Sequence, residues 1–239
     1  MSKIRGNAPG SGMKRAKQKA DVSLKRKFPH LRRALLAWFD ENKRDYPWRR
    51  TGNWFHLLMA EMMLRRTRAD QALQVYSAFT AKFSRPEEAA GMIPRSLEKM
   101  LRPLGLAWRA RQIRSTLHYL RDHYGARAPE PEDDLSRIPG VGDYSEAMLR
   151  NRLFGEARAA IDVNVARVIR RWQGREAHAE SRREADLRAL ADSFVRAERS
   201  WELNLALLDL AALVCKARTP LCAECPLQSR CLRGKSRAH

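Results

Sequence analysis

The sequence predicts an all-α fold, and three observations lead to this prediction. Apolar residues recur with the 3.6-residue period of amphipathic helices in most of the chain. No segment alternates apolar and polar residues for long, as a half-buried strand would. The chain has 239 residues, of which 44% are hydrophobic, so it is long enough for one or two modest domains with real cores.

The helical pattern begins at about Phe28, where Leu31, Leu35, Trp38 and Phe39 form a continuous apolar stripe. The next segment, 54–64, is almost wholly apolar and too long for a strand, so it predicts a buried helix. Further helices are predicted at about 70–83, 95–102, 108–123, 143–154, 163–172, 183–197 and 200–214. The buried stripe of the 183–197 helix is predicted to be Leu187, Leu190, Ala191, Phe194 and Val195.

The charge is strongly positive, with a formal net charge of +20 and a pI near 10.7. Such a balance indicates a polyanionic partner, most simply nucleic acid, although a solubilising surface is the alternative. Residues 1–27 contain nine Lys or Arg against one acid and are read as a flexible basic arm. The arm could tether DNA, remain disordered or act as a transit peptide. Neither a signal-peptide core nor an apolar run of roughly 18 residues is visible, so no membrane partner is expected.

Four cysteines lie within the last 25 residues, with gaps of six, two and five residues between them. This distribution suits a metal site better than a secreted disulfide framework, and four thiolates can hold either zinc or an iron–sulfur cube. The proposed ligands are Cys215, Cys222, Cys225 and Cys231. The loop between the first two is basic, so Lys216 and Arg218 are expected to face a DNA phosphate. The centre is expected to be structural.

The segment 138–142 reads Ile-Pro-Gly-Val-Gly and precedes a predicted helix. Both glycines tolerate positive φ, so the segment can turn tightly and present backbone amides to an anion. Asp143 and Glu146 have the spacing of a helix N-terminal capping box. Alone, such a turn also fits a helix corner without function; beside the charge and the cysteines it predicts a grip on the DNA backbone through Pro139, Gly140, Val141 and Gly142.

Two carboxylates stand out from their surroundings. Glu61 lies within an apolar helix, where a carboxylate is costly unless it is paired or protonated, and is therefore a functional-site candidate. The alternative is a salt bridge to Arg65, one helical turn later. Asp162 precedes the 163–172 helix and reads as its N-cap, which alone would be a structural role.

The hairpin followed by Tyr144, the segment 161–168 (Ile-Asp-Val-Asn-Val-Ala-Arg-Val) and the cysteine spacing together resemble the helix-hairpin-helix DNA glycosylases. More narrowly, they resemble the endonuclease III superfamily with a [4Fe-4S] cluster, over about residues 28–233. The resemblance implies a six-helix barrel at 48–156, packed on a second α-helical domain made of 28–47 and 157–239 that carries the cluster loop. It also implies that Asp162 is the essential aspartate and that the target base flips out of the duplex.

In endonuclease III a lysine stands where this sequence has Tyr144, and its amine forms a Schiff base with the sugar. A phenol cannot form that imine, and no lysine occurs between Lys99 and Lys216. A monofunctional glycosylase is therefore expected, which leaves an abasic site. Tyrosine at this position resembles the thymine–DNA mismatch glycosylase branch, so thymine and uracil opposite guanine are the expected targets.

The same resemblance assigns further roles to individual residues. Asp162 would stabilise the cationic sugar and orient or deprotonate water, and Tyr144 would line the pocket against that sugar. Glu61 would bind the flipped base, accepting from thymine N3–H if ionised or donating to the leaving base if protonated. Arg66 would fill the gap left by that base, and Leu106 would wedge beside the estranged guanine.

Three alternatives remain open at this point. The chain could remove adenine opposite 8-oxoguanine or guanine, or combine glycosylase and lyase activities. It could also be a non-catalytic DNA-binding or redox-sensing iron–sulfur protein. The expected partner is double-stranded DNA with a mismatch or damaged base, bound by a monomer. The expected location is cytoplasmic and nucleoid-associated, if the source is prokaryotic.

Overall fold

A computed structural model describes residues 25–105, 107–125, 127–176 and 178–235. These residues form α-helices and short 3-10 turns and contain no strand, so the all-α prediction is confirmed. Residues 1–24 of the predicted basic arm lie outside the described residues, as does Leu106. The α-helices are α1 (Phe28–Asn42), α2 (Trp54–Met63), α3 (Ala69–Lys82), α4 (Pro86–Ala90), α5 (Pro94–Leu101), α6 (Ala107–His123), α7 (Asp143–Phe154), α8 (Val163–Trp172), α9 (Ala185–Val195), α10 (Ser200–Leu213) and α11 (Leu232–Lys235).

The backbone packs into two compact units. The hairpin unit runs from Arg44 to Ala160 and contains α2 to α7, and the predicted segment 48–156 lies within it. The cysteine unit combines the chain up to Lys43 with the chain from Ile161 onward, and contains α1 and α8 to α11.

The core of the hairpin unit is built around α2. Asn53 caps this helix, because its side-chain oxygen accepts from the amides of Phe55 and His56 at 2.9 and 3.2 Å. Most of the helix is buried, as expected for a segment that is almost wholly apolar. Phe55 packs on Phe79 of α3 with ring centroids 5.8 Å apart, and α6 buries Ile113, Leu117 and Leu120. These contacts fix the positions of α2 and α6. Arg65, just after α2, and Thr116 of α6 contact the hairpin.

The core of the cysteine unit is centred on Phe194 of α9. Its ring meets Phe28 of α1 and Trp172 of α8 edge-on, with centroids 5.1 and 4.8 Å apart. The whole predicted stripe of α9 is buried, which confirms it. Within the described residues, no helix is both long and apolar enough to span a membrane.

The short helix α4 was not predicted from the sequence. It has only five residues, too few for a periodic pattern. Its start is fixed by Glu88, whose carboxylate accepts from the amides of Ser84 at 2.8 Å and Arg85 at 3.3 Å.

Candidate functional site

The glycine hairpin forms a tight turn whose geometry requires Gly140. Its φ is +87°, and a Cβ at this position would lie 2.9 Å from Cε of Met62 on α2. The amide of Val141 donates to the carbonyl of Ile138 at 2.9 Å and closes the turn. Gly142 tolerates positive φ but does not adopt it: its φ is −126°, and the space around it is open.

The inner side of the hairpin is held by side chains of the hairpin unit. Thr116 of α6 donates to the carbonyl of Pro139 at 2.6 Å, and Arg65 donates to the carbonyl of Gly140. Both carbonyls therefore have donors inside the unit. The first intrahelical bond of α7 runs from the amide of Glu146 to the carbonyl of Gly142. The amides of the helical residues before Glu146 therefore precede the repeating hydrogen bonds of the helix. Such amides at a helix start are a suitable site for a phosphate.

The predicted capping box at the start of α7 is not formed. The N-cap is Gly142, which has no side chain, and the Glu146 carboxylate instead accepts from Arg150 at 2.9 Å and Arg158 at 3.1 Å. Two nearby guanidiniums attract this carboxylate more strongly than a neutral backbone amide would. Tyr144, the second residue of α7, is half-buried next to this start.

Glu61 is buried on α2, with only 4% of its surface exposed. Its negative charge acts on Arg65, although burial is the larger effect and lowers the pKa of that guanidinium. Arg65 makes its hydrogen bonds with the hairpin side of the unit: Nη2 also donates to Oγ of Ser145 at 3.0 Å. The two residues thus interact electrostatically while Arg65 connects the end of α2 to the hairpin.

Arg66 lies in the turn that follows α2, with its side chain exposed. Its φ of 52° is the only positive value for a non-glycine residue in the described ranges. This backbone conformation is uncommon for a residue that is neither Gly, Asn nor Asp, so the contacts of the turn must hold it in place.

Asp162 lies at the N-terminus of α8 in the cysteine unit, and its expected N-cap role is confirmed. Oδ1 accepts from the amides of Asn164 and Val165 at 2.8 and 2.7 Å, and Oδ2 accepts from the side-chain amide of Asn164 at 2.8 Å. These three donors fix the orientation of the carboxylate. Asp162 remains partly exposed, so its charge can reach a ligand.

Asn164 and Arg167, for which the sequence predicted no role, connect Asp162 to the cysteine loop. Oδ1 of Asn164 accepts from Nη1 of Arg167 at 2.8 Å. Arg167 in turn donates through Nε to the carbonyl of Cys215 at 3.1 Å and through Nη2 to that of Ala211 at 3.0 Å. A continuous chain of polar contacts therefore joins Asp162 to the backbone at the first cysteine. The Asp-x-Asn-x-x-Arg spacing was the available signal, but only the fold brings Arg167 to Cys215.

The four cysteines meet at one apolar cavity of the cysteine unit. They are not joined in disulfides, and they line the cavity together with Val168, Trp172, Leu210, Val214 and Leu221. Burial, and to a smaller extent the three neighbouring sulfurs, raise the pKa of the Cys225 thiol to about 12. Four thiolates this close in an apolar setting repel one another and need a cationic centre.

The surroundings of the sulfurs also fit such a centre. The amide of Gly234 points at Sγ of Cys231 over 3.4 Å, and Nη1 of Arg171 lies 3.3 Å from Sγ of Cys215. N–H groups directed at cysteine sulfur are a feature of iron–sulfur sites, and the described residues contain no group of three or more His, Cys, Asp or Glu placed to hold a single metal ion. Arg171 also donates to the carbonyls of Lys216 and Ala217 at 2.7 and 2.8 Å. The backbone of the basic loop is thereby fixed, while the side chains of Lys216 and Arg218 are exposed.

The predicted site residues thus divide between the two units. The hairpin unit holds Glu61, Arg66, Tyr144 and the hairpin, whereas the cysteine unit holds Asp162 and the cysteine loop.

Comparison with known proteins identifies the family. The model of the HhH-GPD superfamily of base excision DNA repair proteins matches residues 59–192, and that of the iron–sulfur binding domain of endonuclease III matches 215–231. A thymine-DNA glycosylase of Aeropyrum pernix is 31% identical over 209 residues, which cover 84% of this chain and 93% of that protein. A thymine/uracil-DNA glycosylase of Methanothermobacter thermautotrophicus is 30% identical over 82% of this chain and 90% of its own length.

A solved structure of a thermostable thymine-DNA glycosylase superposes with a TM-score of 0.81 at 27% identity, covering 88% of this chain and 98% of the other. Adenine DNA glycosylases also match; the human protein is 29% identical over 84% of this chain, which spans 38% of that longer protein. The chain therefore belongs to the HhH-GPD superfamily of base excision DNA repair proteins, and it is a DNA glycosylase with an endonuclease III-type domain that binds a [4Fe-4S] cluster.

Proposed function

We propose that this DNA glycosylase removes thymine, and also uracil, from pairs with guanine in double-stranded DNA and leaves an abasic site. The observation that carries the proposal is Tyr144, a phenol two residues after the hairpin, in a segment that has no lysine from residue 100 to 215. Two relatives named for thymine or uracil excision, matched over most of their length, support the choice of base.

In this proposal Asp162 stabilises the transition state electrostatically. As the C1′–N1 bond breaks, its electron pair leaves with the base and positive charge develops on the deoxyribose. The carboxylate of Asp162, oriented by three N–H donors, faces that charge. Water adds to C1′ and loses a proton that neutralises the departed base anion, so the products are the free base and an abasic sugar. No covalent bond to the enzyme forms, because Tyr144 replaces the amine.

The hairpin unit contributes recognition. Glu61 contacts the flipped base, where an ionised carboxylate accepts from thymine N3–H and a protonated one donates to the leaving base. Arg66 occupies the space that the base vacates, and the hairpin binds the phosphate backbone through its amides. Lys216 and Arg218 contact a further phosphate from the cluster loop. When bound, the [4Fe-4S] cluster joins the four cysteines and so holds this loop in shape.

Duplexes that carry a single G·T, G·U, A·8-oxoguanine or A·G pair test the proposal. Each is incubated with the cluster-loaded protein and analysed with and without alkali. We expect thymine and uracil to be released opposite guanine, with strand breaks only after alkali. The Asp162→Asn variant is the matched control and should release neither base. Excision confined to adenine would replace this proposal with an adenine glycosylase, and strand cleavage without alkali would indicate a lyase.

A further inference from the structure

Arg109 of α6 is a buried cation whose hydrogen-bond partners in the described ranges are all neutral. Only 1% of its surface is exposed. Its Nη1 donates to the carbonyl of Met63 at 3.3 Å, to that of Leu104 at 3.1 Å and to the hydroxyl of Thr67, and Nη2 donates to the carbonyl of Arg65. No carboxylate forms an ion pair with it within the part of the chain that the structure describes.

These bonds converge on the turn that carries Arg66. Met63, Arg65 and Thr67 surround Arg66 in sequence, and the carbonyl of Arg65 belongs to the peptide group immediately before it. Orienting this peptide group restricts the φ angle of Arg66, which is 52°. A non-glycine residue keeps such a conformation only where its surroundings impose it. The guanidinium of Arg109, with donors on a rigid planar fork, is suited to this task.

The same face of α6 also contacts the hairpin. Gln112 accepts from Nη1 of Arg65 at 3.5 Å, and Thr116 donates to the carbonyl of Pro139 at 2.6 Å. Arg109, Gln112 and Thr116 are spaced i, i+3 and i+7, so they lie in one row along the helix. Arg65 completes the connection, since it belongs to the turn and donates to the carbonyl of Gly140. The turn and the hairpin are therefore both attached to one rigid helix.

Stability alone is a poor explanation for this arrangement. Burial lowers the pKa of Arg109, and the positive charge of Arg65 lowers it further, so the two guanidiniums repel each other. Nε of Arg109 is buried without a hydrogen-bond partner. A buried, unpaired cation is costly, and apolar residues of similar volume would fill the same space at lower cost.

We infer that Arg109 is a positioning residue for base extrusion: it holds the turn of Arg66 in its left-handed conformation and at a fixed place relative to the hairpin. The inference rests on the proposed function, in which Arg66 fills the gap that the flipped base leaves. Arg109 itself is buried and acts only through the backbone of the turn. Its loss should therefore impair gap filling while leaving general affinity for duplex DNA intact.

The test compares wild type, Arg109→Lys, Arg66→Ala and the double variant. Lysine keeps the charge but ends in a single nitrogen, so it cannot serve both the Arg65 carbonyl, which Nη2 binds, and the acceptors that Nη1 binds. The first readout is the preference for a duplex with a tetrahydrofuran abasic-site analogue opposite guanine over an intact duplex. The second is the fluorescence of 2-aminopurine beside the target base. Neither readout requires excision, so both can be scored even if the proposed choice of base fails.

We expect Arg109→Lys to lose most of the abasic-site preference, about tenfold, together with the 2-aminopurine signal, while affinity for the intact duplex is retained. The abasic-site preference of the double variant should be no lower than that of Arg66→Ala alone, because both changes remove the same function. Losses that multiply in the double variant would overturn the inference, as would a wild-type protein without abasic-site preference.

Leu120→Ala serves as the matched control for stability, because Leu120 is a fully buried apolar residue of the same helix. It should lower the Tm without abolishing the 2-aminopurine signal at temperatures where the variant is folded. If Arg109→Lys and Leu120→Ala lose abasic-site preference in proportion to their loss of Tm, Arg109 is merely structural and the inference is wrong.

Discussion

The side-chain amide of Asn164 donates a hydrogen bond to Oδ2 of Asp162 over 2.8 Å. The same side chain accepts from Arg167 on its other side, so its amide group cannot rotate without losing a bond. The orientation of the proposed catalytic carboxylate therefore depends on Asn164. Asn164 is itself held by Arg167, which donates to the carbonyl of Cys215.

Replacement of Asn164 by alanine should slow base excision about ten- to a hundredfold, because the carboxylate loses one of its orienting donors. The two backbone donors to Oδ1 remain, so the helix cap and the Tm should change little. Single-turnover excision on the preferred duplex measures the first effect and thermal unfolding the second. An unchanged rate would show that the backbone donors suffice.

Replacement of Asp162 by asparagine should lower excision by at least about a hundredfold, since the charge facing the cationic sugar is lost. Asparagine also caps helices well, whereas Asp162→Ala should cost about 1 kcal/mol of stability. Comparing the two variants by unfolding and by excision separates the cap from the chemistry. If the loss of excision activity is proportional to the loss of stability in both variants, Asp162 has no catalytic role.

Replacement of Tyr144 by lysine should create borohydride-trappable complexes with substrate DNA, because an amine then stands where the phenol was. The wild type should give none. Denaturing electrophoresis after borohydride treatment detects the covalent species, with Tyr144→Phe as the control. Trapping by the wild type would contradict the monofunctional assignment.

Replacement of Gly140 by alanine should destabilise the protein by about 2 kcal/mol and weaken DNA binding, because the new Cβ meets Met62 and the φ is left-handed. Gly52→Ala is the control: Gly52 has open space and no positive φ, and its substitution should change stability by about 0.5 kcal/mol or less. Denaturant unfolding compares the two. Equal effects would contradict the steric account.

Replacement of both Lys216 and Arg218 by alanine should reduce the salt dependence of DNA binding by about two phosphate contacts, with the cluster absorbance unchanged. Replacement of Arg95 and Lys99, which are exposed on α5, by alanine removes the same charge and is the control. It should leave the salt dependence of DNA binding unaltered. Titrations over a range of salt concentrations measure both slopes. Equal slopes for the two double variants would show that the loop does not contact phosphate.

The sequence alone was sufficient for features that depend on neighbouring residues. Helix periodicity placed most helices within two residues of their observed bounds, because a buried stripe is a local pattern. The four cysteines were recognisable because their spacing is itself local. The N-cap at Asp162 was predicted for the same reason, since a cap bonds to amides two and three residues later.

Tertiary structure decided where the long polar side chains go. Glu146 has the spacing of a capping box but bonds to Arg150 and Arg158, because charged donors outcompete a backbone amide. Arg65 is one turn from Glu61 but donates to Gly140, and Arg109 reaches back to the turn after α2. An arginine side chain is long enough for several partners. Only the packing of α2, α6 and the hairpin determines which of them it meets.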